Sequence, residues 1–118
     1  MLYSILQKKI KTRVQRKKRI RKKIFGVATL PRVSIFKSNR YFYAQAIDDT
    51  VGHTLASIDG NVLKLKSNKI DVKTIAEQFS KNLKSKNINK IIFDRNGYLY
   101  HGVVKVFADT LRESGIKI

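Results

Sequence analysis

No hydrophobic core can absorb the first 23 residues of this chain. They carry eleven lysines and arginines (Lys8, Lys9, Lys11, Arg13, Arg16, Lys17, Lys18, Arg19, Arg21, Lys22 and Lys23) and no acid, a formal charge of +11. Apolar residues recur there at Leu6, Ile10 and Val14, and again at Ile20 and Ile24, a spacing that allows a thin helix. Like charges repel along such a helix, and its apolar stripe is too narrow to anchor it. The segment therefore reads as an arm, disordered when free and helical once its cations meet phosphates. Residues 24–118 hold the other fifteen basic residues against all eight acids, a net +7. With 42% hydrophobic residues overall, they suffice for one domain with an ordinary core. The expected division is a basic arm over residues 1–25 and a globular α/β domain over 26–118.

A total of +18 on 118 residues exceeds what solubility demands and points to a polyanionic partner. The absence of cysteine excludes disulfides, thiolate zinc sites and cysteine nucleophiles. No apolar run approaches the roughly 18–20 residues of a membrane span. Lysine and arginine interrupt the N-terminal apolar residues too often for a secretory signal. The chain is expected to be soluble and cytosolic, with no cofactor, no small-molecule substrate and no membrane partner.

Hydrophobic periodicity lays out the globule. Pro31 marks its entrance. Arg32–Lys37 and Tyr41–Ile47 alternate apolar and polar residues around Ser38-Asn39-Arg40, which reads as a hairpin. Asp48 to Gly52 reads as a second turn, with Asp48 and Asp49 as turn formers, and His53–Ile58 as a third strand. Asp71 is a suitable N-cap for a helix with Val72, Ile75, Ala76, Phe79 and Leu83 on one stripe, closed by Asn87. Ile91-Ile92-Phe93 suits a strand buried on both faces. Val104, Phe107, Ala108 and Leu111 form a second helical stripe, stopped by Gly115 with Ile116 behind the cap. The order β-β-β-α-β-α predicts a mixed sheet of about four strands with two packing helices.

Three places outside the arm combine cations with aromatics or turn residues. The hairpin tip, Lys37, Ser38, Asn39 and Arg40, suits a phosphate grip through charge and backbone amides. Alternation puts Tyr41, Tyr43 and Gln45 on one sheet face and Phe42 on the other, and rings on an open sheet face can stack bases. Packing of the same tyrosines into a core is the competing reading. The run Arg95, Asn96, Gly97, Tyr98, Leu99, Tyr100, His101, Gly102 suits a tight turn that presents rings and a cation to a partner rather than a core. Arg32 and Lys105 lie near these groups in sequence. His101 reads as a turn residue or helix cap, and with only His53 beside it a metal site is not expected.

Arg32-Val33-Ser34-Ile35-Phe36-Lys37-Ser38-Asn39-Arg40 followed by Tyr43-Ala44-Gln45-Ala46-Ile47 resembles the first hairpin of the bacterial large-subunit ribosomal protein eighteen family. Phe93 to Tyr98, Tyr100-His101-Gly102, Ala108-Asp109 and Arg112-Glu113-Ser114-Gly115 resemble its later motifs, in the right order and at the right separation. The resemblance runs from the arm to the last residue. It implies a non-enzymatic ribosomal protein that binds 5S rRNA and helps seat it on 23S rRNA in the central protuberance, beside neighbouring ribosomal proteins. It also implies an architecture close to that of ribonuclease H, shared with several translational proteins. Val103 and Leu30 depart from the family pattern, which usually has arginine and a charged residue at those places.

Two other classes compete. A two-metal nuclease needs several carboxylates converging on ions about 4 Å apart, and the acids available are Asp48, Asp49, Asp94, Asp109 and Glu113. Asp109 and Glu113 share a helix face, but Lys105 and Arg112 beside them favour a structural role. An unspecific binder of DNA, RNA or membrane surface would need the charge but not the paired hairpin and aromatic-turn blocks.

Overall fold

Alternation and caps shape every element of the globule. The computed structural model describes residues 2–118, with side chains from residue 7 onward; the side chain of Leu6 lies outside the described residues. The elements are α1 (Leu2–Arg21), β1 (Arg32–Lys37), β2 (Phe42–Asp48), β3 (His53–Asp59), α2 (Lys69–Ser85), β4 (Ile92–Asp94) and α3 (Val103–Glu113). The four strands form one mixed sheet in the order β3-β2-β1-β4. β1 and β2 pair antiparallel, with Ser34 opposite Gln45 and Phe36 opposite Tyr43. β4 runs parallel to β1, with Val33 opposite Phe93. The register of β2 on β3 shifts between Ala46 and Ile47, so that Leu55 is an extra residue and the strand bends there.

The period of two sorts the side chains. Val33, Ile35, Phe42, Ala44, Ala46, Ala56 and Ile58 face the core. The helical stripes Val72, Ile75, Ala76, Phe79, Leu83 and Val104, Phe107, Ala108, Leu111 are fully buried against that face. Phe107 joins the layers: its ring lies 4.9 Å from Phe42 of the sheet and 5.9 Å from Phe79 of α2, centroid to centroid. The opposite sheet face is left without a covering helix from the globule.

One helix end and one strand differ in detail from expectation, and two helix ends agree with it. The N-cap of α2 is Asn68, not Asp71: the Asn68 Oδ1 accepts from the Asp71 amide at 2.8 Å, and the Asp71 carboxylate accepts from the Lys66 amide and Asn68 Nδ2. Asp71 thus acts from the third helical position, where a carboxylate also meets the positive end of the helix. β4 is an edge strand rather than one buried on both faces, so Ile92 and Phe93 are only half-buried. The C-termini close as the residues direct. Asn87 (φ 61°) and Gly115 (φ 95°) adopt the left-handed conformation, and the amides of Ile88 and Ile116 donate back to Leu83 and Leu111.

α1 is helical over Leu2–Arg21, most of the arm. Ile10 and Val14 do not anchor it, being 65% and 43% exposed, whereas Ile20 is half-buried beside Leu30 and Ile92. Arg13 does anchor it: its guanidinium lies 4.1 Å from the centroid of the Tyr98 ring, a cation–π contact. The helix is therefore held in part by the stems and heads of its cations, which an apolar period does not report.

Candidate nucleic-acid interface

Two adjoining grooves lie where α1 meets the sheet. The first, of about 620 Å³, runs over the uncovered sheet face. Its floor is Ser34, Phe36, Tyr43, Gln45, Ile47, Ser57 and Asp59, and Lys17 and Arg21 of α1 stand at its side. Phe36 is 51% exposed and its ring centroid is 5.9 Å from that of Tyr43. Adjacent, partly open rings on a sheet are a stacking surface for bases. Tyr41 precedes β2, is half-buried and fastens the hairpin tip, its amide donating to the Ser38 Oγ at 3.1 Å. Ser38, Asn39 and Arg40 are all exposed.

The second groove, of about 630 Å³, separates α1 from the turn after β4. Lys8, Lys9, Thr12, Arg13 and Arg16 form one wall, and Lys37, Gly97, Tyr98, Leu99 and His101 the other. Five cations and no carboxylate line it, the electrostatic form that draws a phosphate backbone. Lys11, Lys18, Arg19, Lys22 and Lys23 are exposed outside both grooves. Lys105 is exposed on α3 and also stands apart from them.

Several residues expected to face a partner also build the frame. Arg32 donates from Nε to Asp49 Oδ2 at 2.9 Å, from Nη2 to Asp49 Oδ1 at 3.0 Å and from Nη1 to Asp94 Oδ2 at 2.7 Å. Such a guanidinium, 11% exposed and held by two carboxylates, is committed to the fold. Asn96 is buried at 8% exposure and donates from its side chain to the Ile35 carbonyl. Gly97 (φ 78°) is buried under α1, where a Cβ would come within 2.5 Å of the Arg13 carbonyl oxygen. The Tyr98 hydroxyl donates to the Lys37 carbonyl and accepts from the Lys37 amide, while Arg13 covers its ring. Arg95 donates to the Tyr98 carbonyl. The Tyr100 hydroxyl accepts from Arg112, which raises the Arg112 pKa, and its ring meets Phe93 edge-on. Gly102 (φ 59°), not His101, is the N-cap of α3. The block from 95 to 102 is thus mainly a turn that seats α1, with Leu99, Tyr100 and His101 as its exposed part.

Phe36, Thr12 and Leu99 belong to the grooves although they were not among the expected contacts. Alternation along β1 puts Phe36 on the same face as Ser34, a signal present in the sequence. The role of Asp49 has no such local signal. Asp48 does form its turn, accepting from the Thr50 amide at 3.0 Å. Asp49 accepts from Arg32, from the Gly26 amide at 2.8 Å and from Arg21 at 3.5 Å. The Arg32 hydrogen bond, with lesser help from Gly26, holds the Asp49 carboxyl down at about 2 against the opposing effect of burial. A carboxyl lowered on folding stabilises the fold above its unfolded pKa, near 4, and loses that contribution as pH falls towards about 2. Chemical denaturation at stepped pH should show a loss of about 2 kcal/mol across that window, absent in Asp49→Asn. A variant with the same acid limb as the native chain would refute the assignment.

Three of the five acids of the competing nuclease reading are engaged by arginine: Asp49 and Asp94 by Arg32, and Asp109 by Arg112 at 3.1 Å. Among the described residues no three acids or histidines are placed to hold a metal ion, and no helix is long and apolar enough to cross a membrane.

Residues 7–118 match the family model described as ribosomal L18 of archaea, bacteria, mitochondria and chloroplast. The chain belongs to the ribosomal L18 family. It is 63% identical over 117 residues to the large ribosomal subunit protein uL18 of a Nitratiruptor species, covering 99% of each chain. The uL18 proteins of a Sulfurovum species and of Helicobacter hepaticus are 61% and 58% identical, over 99% and 100% of each chain. This is a family of ribosomal proteins, not of enzymes. At the two positions where the resemblance leads one to expect a departure from the family pattern, Leu30 is half-buried ahead of β1 and Val103 opens α3 half-buried. Neither stands in the two grooves.

Proposed function

We propose that this chain is a structural constituent of the large ribosomal subunit that binds 5S rRNA and helps attach it to 23S rRNA in the central protuberance. The acid-free cationic groove between α1 and the Gly97–His101 turn carries this reading, supported by the ring-lined sheet face beside it. The grooves differ in chemistry: one gives phosphate contacts, the other rings and amides that read bases. Attachment of one RNA to another needs a second surface. A groove of about 700 Å³ at the β4 edge, with Lys90, Arg95, Arg112 and Lys117 around Ile92, Phe93 and Tyr100, provides one. It also adjoins an open strand edge on which a neighbouring ribosomal protein can pair.

Footprinting on total ribosomal RNA tests the reading. The expected result is a compact protected region in 5S rRNA at concentrations where other RNAs remain unprotected. Protection spread over all RNAs in proportion to their length would overturn it in favour of an unspecific basic binder.

A further inference from the structure

One guanidinium organises both points at which α1 meets the globule. At the foot of the helix, Arg32 holds Asp49, and Asp49 in turn accepts from Arg21 and from the Gly26 amide. Towards the middle of the helix, Arg32 holds Asp94, whose other oxygen accepts from the Asn96 amide at 2.8 Å. That bond shapes the left-handed turn at Asn96 (φ 54°) and Gly97 (φ 78°), on which the backbone of Arg13 rests. Asp94 is fully buried and Asp49 is only 10% exposed, so both links are shielded from salt.

We propose that the Asp49–Arg32–Asp94 network is a positioning device that fixes α1 over the edge of the open sheet face. It makes an otherwise self-repelling basic helix into one wall of a preformed RNA site. Asp49 and Asp94 act through the helix and do not touch RNA. The inference rests on the RNA-binding reading above, and it gives Asp49 an effect opposite in sign to simple charge. Removal of an anion from a polyanion binder strengthens binding by electrostatics alone. Removal of this anion should weaken it, because the competent orientation becomes a minority and apparent affinity falls by its fraction.

The chain has no cysteine, so spin labels can be placed uniquely at Gln7→Cys on α1 and Val62→Cys in the β3–α2 loop, both exposed. Their distance distribution is measured without RNA, and 5S rRNA affinity on the unlabelled protein. Asp49→Asn should broaden the distribution and weaken binding by about tenfold, as for a competent state reduced to roughly a tenth. Gly97→Ala changes no charge but puts a Cβ against Arg13, and should do the same even if Asp49→Asn folds poorly. Gly52→Ala is the control for backbone strain: its φ is 63° and nothing lies within 4 Å of the added Cβ, so both readouts should stay native. An unchanged distribution in folded Asp49→Asn and Gly97→Ala would overturn the positioning role. A broadened distribution with unchanged 5S affinity would uphold positioning and instead refute the arm as part of the RNA site.

Discussion

Deletion of residues 1–23 should leave a folded globule whose RNA binding is weaker and much less sensitive to salt. The deleted segment supplies eleven of the 26 basic residues and no acid. Each phosphate neutralised contributes roughly 0.7–0.9 to the slope of log affinity against log salt. If most of these cations release counterions, the slope falls by several units. The full chain should lose roughly 10³–10⁵ in affinity between about 50 and 200 mM salt, and the truncated chain far less. Among the described residues the buried hydrophobic core lies within residues 33–116, so truncation leaves it intact while removing the Arg13–Tyr98 contact, the Arg21–Asp49 pair, the Arg21 bond to the Ile24 carbonyl and the cover over Gly97. Circular dichroism should show the sheet and the two remaining helices. A slope unchanged by truncation would mean that the arm does not touch RNA.

Much of this fold can be read from local pattern, and the exceptions share a cause. The alternation in Arg32–Lys37 and the stripe from Val72 to Leu83 report which side chains are buried, because burial follows period within one element. Gly115 followed by Ile116 announces its own helix stop, because the closing bonds span only a few residues. The job of Arg32 cannot be read this way. Its partners lie 17 and 62 residues further along the chain, and an arginine on a half-exposed strand looks the same whether it meets phosphate or carboxylate. Asn96 and Gly97 mislead for the same reason. Their composition announces a tight turn, but only the tertiary arrangement shows α1 lying on it. The candidate site was legible as composition, cations near rings, while its division into contact and frame depended on long-range pairing.

That division sharpens the test of specificity. Charge in the arm is blind to sequence, so any preference for 5S rRNA must come from shaped surface on the globule. On the open sheet face and hairpin tip the available groups include the exposed ring of Phe36, the half-buried ring of Tyr43, Gln45 beside them, and Arg40. Loss of a stacked ring costs about 1–3 kcal/mol, so Tyr43→Ala and Phe36→Ala should each weaken 5S binding roughly five- to 150-fold while changing affinity for an unrelated structured RNA little. Tyr43→Phe keeps the stacking face and should retain most of the affinity; a large loss would assign the hydroxyl rather than the ring. Arg40→Ala should lose a comparable amount if the guanidinium binds two phosphate oxygens at once. Arg95→Ala should act differently: its Nη1 bond to the Tyr98 carbonyl supports the turn beneath α1, so it should lower thermal stability and disturb binding of both RNAs together. Competition binding of these variants against both RNAs, with circular dichroism to confirm folding, separates the cases. Folded Tyr43→Ala, Phe36→Ala and Arg40→Ala proteins that lose both RNAs equally, or neither, would show that the open sheet face does not select, and would return the chain to the unspecific binders.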